Sequence, residues 1–197
     1  MDNVAEEIIK EGNFQFPIDP TFVAESLDLD TAICNIPLEN NQYIAAMLIS
    51  SENMIIINEN NCNITTNNPE GFEASSIAHE IGHWVLHINH KNLQKYKQKK
   101  ELGLELPKIP KLHRTYNNKN LSSIEYQAQY FAGCLLMPKF KLEEVRNNRD
   151  LTKWKHLYAI ADELCVTISN LTYRLQDLEW IDIPQNSKRI FLGKNQY

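Results

Sequence analysis

The sequence predicts an α+β fold: a small twisted sheet packed on a central pair of helices, followed by a small helical unit at the C-terminal end. Three observations predict it. Residues 43–49 and 54–58 are β-rich runs of strand length joined by the polar Ser-Ser-Glu-Asn. Residues 74–89 and 122–137 carry apolar side chains at helical spacing. Beyond Pro138 the apolar pattern recurs only in short helix-length pieces.

Taken in chain order, Pro17-Ile-Asp-Pro20 followed by Thr21-Phe-Val-Ala-Glu-Ser-Leu27 reads as a capped opening helix with Phe22, Val23 and Leu27 inward. The two β-rich runs then form a hairpin, and the asparagine-dense stretch 58–68 is a loop. From 74 to 89 no proline intervenes, and Ile77, Ala78, Ile81, Val85 and Leu86 recur at helical spacing, which predicts a buried central helix that tolerates Gly82. Residues 91–120 carry nine basic side chains, only Glu101 and Glu105 as acids, and Pro107 and Pro110, with no sustained apolar period; they read as a mobile excursion. In 122–137, Ile124, Ala128, Phe131, Ala132, Leu135 and Leu136 mark an amphipathic helix that Pro138 ends. A short helix over 142–147 follows, then helices over 154–164 and 169–178 joined by a turn, about the size of a helix-turn-helix unit. The residues from Pro184 read as a tail. The expected division is a principal domain over 1–150, a helix-turn-helix-like subdomain over 151–183 and a tail over 184–197.

Bulk properties narrow the function classes. At 197 residues, with 43% hydrophobic and 23% charged residues, the chain has an ordinary globular composition with one principal core. No apolar stretch is long enough to span a bilayer, and Met-Asp-Asn-Val-Ala-Glu-Glu lacks the basic and apolar regions of a secretory signal, so a cytoplasmic protein is expected. Cys34, Cys62, Cys134 and Cys165 are widely spaced and form no C-x-x-C pair, which suits a reducing compartment and not a cysteine metal cluster. The net charge of −5 hides an asymmetry: residues 1–90 hold one basic side chain against fourteen acidic, residues 91–197 nineteen against eleven. Charge runs are usually solvated faces, and nucleic-acid binding does not follow from this one.

The chemistry-bearing motif is His79-Glu80-x-x-His83. On a helix, residues i and i+4 share one face, so both imidazoles can address a single ion at about 2.0–2.1 Å. Glu80 points to the neighbouring side, where it can take a proton from an attacking water. A catalytic zinc wants a third protein ligand and one open position. His87 lies a further turn along, about 6 Å beyond His83, and reads as a packing or supporting histidine. The H-E-x-x-H-x-x-G-x-x-H arrangement fails too, since Leu86 and Asn89 stand where it needs Gly and His. Glu125, in the first turn of the second long helix, can supply the ligand, with Ala128 and Ala132 leaving room for close helix packing; Ser122-x-x-Glu125 is equally a capping box, and helix logic alone leaves both readings standing. His113, Tyr116 and Tyr130 are candidates for an oxyanion donor, each with an ordinary packing role as its rival. A hairpin strand at a sheet edge would offer substrate a place for strand addition, against a plain core role, which is the favoured reading.

Ile77-Ala-His-Glu-Ile-Gly-His-Trp-Val-Leu-His87, with Glu125-Tyr-Gln-Ala-Gln-Tyr-Phe-Ala-Gly-Cys-Leu-Leu-Met-Pro138 downstream, resembles the ImmA/IrrE family of metallopeptidases. The second stretch fits the family form E-x-x-A-x-x-F-A-x-x-L-L-M-P, and a weaker likeness extends over about residues 17–183. The resemblance implies zinc held by His79, His83 and Glu125, Glu80 as general base, and site-specific cutting of a cognate helix-turn-helix repressor of phage, mobile-element or stress-response genes. Departures are Ser75-Ser-Ile77 where the family commonly has a phenylalanine-threonine pair, Gln127 where an acidic residue often stands, and the long basic linker. The rival reading is a zinc-stabilised protein-binding or DNA-associated module. Against DNA contact, the would-be recognition helix carries only Arg174 as a cation.

Overall fold

A computed structural model describes residues 1–39, 43–63, 68–103, 112–115, 123–185 and 187–194, with backbone alone at 62–63 and 112–115. Helix α1, Asp2–Gly12, turns Ala5 and Ile9 inward and ends at Asn13, whose left-handed conformation (φ 50°) returns its N–H to Lys10. Helix α2, Pro20–Ser26, starts as expected: Asp19 caps it through Thr21 N at 2.9 Å, and Pro20 occupies the first turn. Its inward residues are Val23 and Ala24, whereas Phe22 is 61% exposed and faces out, against the sequence reading. Successive residues lie about 100° apart around a helix, so an inward arc centred between Val23 and Ala24 leaves Phe22 about 150° away, on the outer side.

Strands β1 (Asp30–Cys34), β2 (Ile44–Ile49), β3 (Met54–Asn58) and β4 (Leu112–Thr115) form a sheet in the order β1-β3-β2-β4. The predicted hairpin is β2–β3, paired Ala46 to Ile57 through Ile49 to Met54, and its turn is a 3₁₀ segment closed by Asn53 at φ 51°. β1 runs parallel to β3, and β4 antiparallel to β2. Both hairpin strands are therefore interior, and the edges among the described strands are β1 and β4, so the hairpin takes its core role and is not a place for strand addition. Asn58, buried at the end of β3, donates its amide to Ile36 O and Ile44 O and closes this end of the sheet.

Helix α3, Pro69–His87, begins five residues earlier than its apolar periodicity indicates, because Asn68 caps Gly71 N at 2.7 Å and Pro69 fills the first turn. The sheet packs principally on α3, α3 on α5 (Ser123–Leu136), and α1 on α5 in turn. The two central helices approach closely at Gly82: a Cβ there would stand 2.9 Å from Ala128 O and 3.0 Å from its Cα. Phe131, fully buried beside this crossing, contributes roughly 1.5–3 kcal/mol by burial alone. Ile124 falls outside the inward stripe and is 45% exposed.

The basic segment after α3 opens with a helix, α4 (His90–Glu101), which the absence of an apolar period concealed. Only Leu93 is buried; Asn89 caps Asn92 N, while Lys97 and Lys100 reach Asn53 and Glu52 in the hairpin turn. Residues 104–111 and 116–122, with Pro107, Pro110, Tyr116 and Ser122, lie outside the described residues. Helix α6 spans Lys139–Val145, and α7 (Trp154–Glu163) and α8 (Ile168–Asp177) are joined through Cys165 at φ 53°. The stretch read as a tail folds back: β6 (Phe191–Leu192) pairs with β5 (Ile181–Asp182), Trp154 donates to Lys188 O, and a Cβ on Gly193 would collide with Glu179 O. One buried apolar cluster runs from Ala5 to Ile190. Among the described residues no helix is long and apolar enough to cross a membrane, and Cys34, Cys134 and Cys165 are free thiols.

Candidate metal centre

Helix α3 carries His79 and His83 one turn apart, 1% and 0% exposed, with ring centroids 4.8 Å apart. Glu125 reaches them from the first turn of α5: its Oε2 lies 3.1 Å from His79 Nε2 and its Oε1 3.2 Å from His83 Nε2. The two Nε2 atoms are 3.1 Å apart. The structure thus brings together the three residues singled out as ligands, across 46 positions of sequence. Glu80 follows His79 on the same helix, about 100° around the axis, and is fully buried.

Whether these residues suit a metal can be judged from the donor set. Two imidazole nitrogens and a carboxylate converge on one point, all atoms able to present lone pairs. Protons on the rings satisfy some of these contacts; a divalent cation satisfies all three residues together. A tetrahedral ion with bonds of about 2.0–2.1 Å needs ligand atoms about 3.3–3.4 Å apart. The observed 3.1–3.2 Å is within a few tenths of an ångström of that spacing. The residues fit a metal.

The electrostatics point the same way. Burial pushes the Glu125 carboxyl up, but its hydrogen bonds to His79 and His83 and its electrostatic attraction to them outweigh this and hold it well below the usual carboxylate range. It is therefore ionised at neutral pH, the form a ligand requires. The Glu125 side chain is 21% exposed while the histidines are sealed, so the site opens on the α5 side.

Behind the ligands, His83 Nδ1 contacts His87 Nδ1 at 3.0 Å, and His87 Nε2 contacts Gln127 Oε1 at 3.0 Å. His87 thus has the supporting place that its extra turn of distance predicts. Gln127 was visible in the sequence only as a departure from a motif, since its partner lies 40 residues away and no local spacing links them. Of the oxyanion candidates, Tyr130 donates its hydroxyl to Asp2 at 3.2 Å, His113 lies on β4 paired with Met47 with only its backbone described, and Tyr116 is outside the described residues.

Comparison with known families matches residues 25–176 to the IrrE N-terminal-like domain, Peptidase M78. The search of curated proteins finds no match. The matched span covers most of the chain and contains both central helices, and the chain belongs to this peptidase family.

Proposed function

We propose that this member of the M78 peptidase family is a zinc-dependent endopeptidase that makes site-specific cuts in a cytoplasmic protein, a helix-turn-helix repressor. The observation that carries the reading is the convergence of His79, His83 and Glu125 beside a fully buried Glu80. Zinc, when bound, supplies Lewis acidity that makes water a better nucleophile and polarises a carbonyl. The protein's own residues do the rest. His79 and His83 present neutral nitrogens from one rigid helix face, and Glu125 completes the set from a second helix while leaving the open side to substrate. Glu80 receives the proton of the attacking water and returns it to the departing amide nitrogen. Its burial keeps bulk water from competing for that proton.

The rival reading is a zinc-stabilised binding module, with α7 and α8 contacting DNA as a helix-turn-helix-like subdomain. Arg174, the single cation of α8, is 2% exposed and ion-paired with Asp2, so it is not available to phosphates or bases, which disfavours that reading. The repressor as substrate rests on family resemblance.

The test compares new protein N-termini in cells expressing the wild-type protein or Glu80→Gln, with zinc content measured on both purified proteins. Glu80→Gln should retain zinc and lose cleavage by about 10²–10⁴-fold. A cut that persists in Glu80→Gln would overturn the general-base assignment; a zinc-dependent phenotype that ignores Glu80 would favour the binding module.

A further inference from the structure

We infer that His87 and Gln127 form an uncharged relay that fixes the tautomer and ring orientation of His83, and that Gln127, at its end, sets how tightly the metal is held. The inference rests on the metallopeptidase reading above.

Proton positions along the relay follow from its last member. Gln127 turns its amide oxygen to His87, an acceptor that needs a donor, so His87 carries its proton on Nε2. In that tautomer His87 offers the lone pair of Nδ1, and the 3.0 Å contact is satisfied when His83 donates to it from its own Nδ1. That leaves the Nε2 lone pair of His83 facing His79 and Glu125, the tautomer a ligand needs. His83 is fully buried, so its Nδ1–H depends on an acceptor inside the protein, and among the described residues His87 stands at hydrogen-bonding distance from it.

The relay also spans the same two helices as the ligands. His87 sits in the last turn of α3 and Gln127 two residues after Glu125 in α5, so the contacts close a ring, Glu125 to His83 to His87 to Gln127. Ligating histidines are commonly backed by a carboxylate, which raises the basicity of the ligand nitrogen. Here an amide ends the chain. It orients the rings as a carboxylate would, but adds no negative charge, and the metal is held correspondingly less tightly.

The test is zinc affinity, measured by competition with a chromophoric chelator and paired with the thermal midpoint of the zinc-free protein. Gln127→Met and His87→Phe, which keep volume and remove a relay member, should weaken zinc binding by about 10–100-fold. Gln127→Glu should tighten it by about 3–10-fold, and the gain should vanish in Gln127→Glu combined with His87→Phe. A merely structural role for these residues would shift the midpoint and give no tightening. Affinities of His87→Phe and Gln127→Glu within about twofold of wild type would overturn the relay. His83→Ala separates the two readings: if it loses zinc while the relay variants bind normally, only the relay fails, and if it keeps wild-type affinity, the metal centre itself is wrong.

Discussion

Two buried polar constellations are mounted on α5, one near each end, and they handle charge in opposite ways. At the start of the helix Glu125 joins two histidines, and the group offers a cation three ligands from two helices. Just past its other end the chain supplies its own cation. Arg174 of α8, 2% exposed, pairs with Asp2 of α1, donates Nε–H to Met137 O at 3.2 Å and lies over the Tyr130 ring. Burial pushes the Asp2 carboxyl up, but the hydrogen bond and charge of Arg174 outweigh this and hold it below its ordinary value. Burial also pushes the neighbouring Cys134 thiol up to about 12, which makes it an inert packing group at neutral pH. The difference separates scaffold from site. A cluster whose counter-charge is covalently part of the chain is complete on folding, whereas one built of ligands alone takes its last component from solution.

That contrast can be broken by experiment, and the largest effect is expected at the scaffold end. Arg174→Ala should cost about 2–5 kcal/mol of stability with or without zinc, because it empties the buried space that the Arg174 side chain fills and removes its hydrogen bonds to Met137 O and the partly exposed Asp2. Urea denaturation measures this. Arg174→Met with Asp2→Asn should cost less than Arg174→Met alone; an equal cost would mean that packing, not charge, holds the cluster.

At the ligand end stability should follow the solution. Free zinc at about 100 times its Kd should add about 2.7 kcal/mol, chelator should remove it, and Glu125→Gln should abolish most of the response. Equal responses in wild type and Glu125→Gln would place the ion elsewhere.

Gly82→Ala tests the crossing that brings the ligands together. The added methyl meets the Ala128 backbone, so a loss of about 1–3 kcal/mol is expected, with weaker zinc binding because Glu125 rides on the displaced helix. A stability loss with unchanged zinc affinity would show that α5 shifts without moving Glu125.

The smallest effect is pH-dependent. The folded Asp2 carboxyl lies below its ordinary value of 3.8, so the stability it contributes is present in full above about pH 4 and is lost as pH falls through the lower folded value. The gap in thermal midpoint between wild type and Asp2→Asn should be constant near neutrality and shrink below about pH 4.

The same contrast governs what could be read from sequence. Helix α3 was legible because its two histidines sit four residues apart and its apolar residues repeat, and α5 because Ala128, Phe131, Ala132 and Leu135 do. Strand β1 was not: it is an edge strand with no buried residue, so no alternation marks it. Helix α4 buries one side chain and is held by polar contacts to the hairpin turn, which periodicity cannot register. Helix α1 did carry a signal, Ala5 and Ile9 one turn apart, and was missed. Gln127 and the pairing of Asp2 with Arg174 depend on long-range contacts, invisible to any local window.

The Asp2 to Arg174 contact also has an order in time. Asp2 is synthesised 172 residues before its partner, so on the ribosome its carboxylate has no Arg174 to meet while the hairpin and both central helices emerge. The two histidines appear before Glu125, and Glu125 before Arg174. The three candidate ligands are thus synthesised before the arginine latch can close, and a chain interrupted ahead of α8 would carry all three on a body whose scaffold is unfinished. Proteolytic sensitivity of such a truncated chain, set against the full-length protein, would record that last step directly.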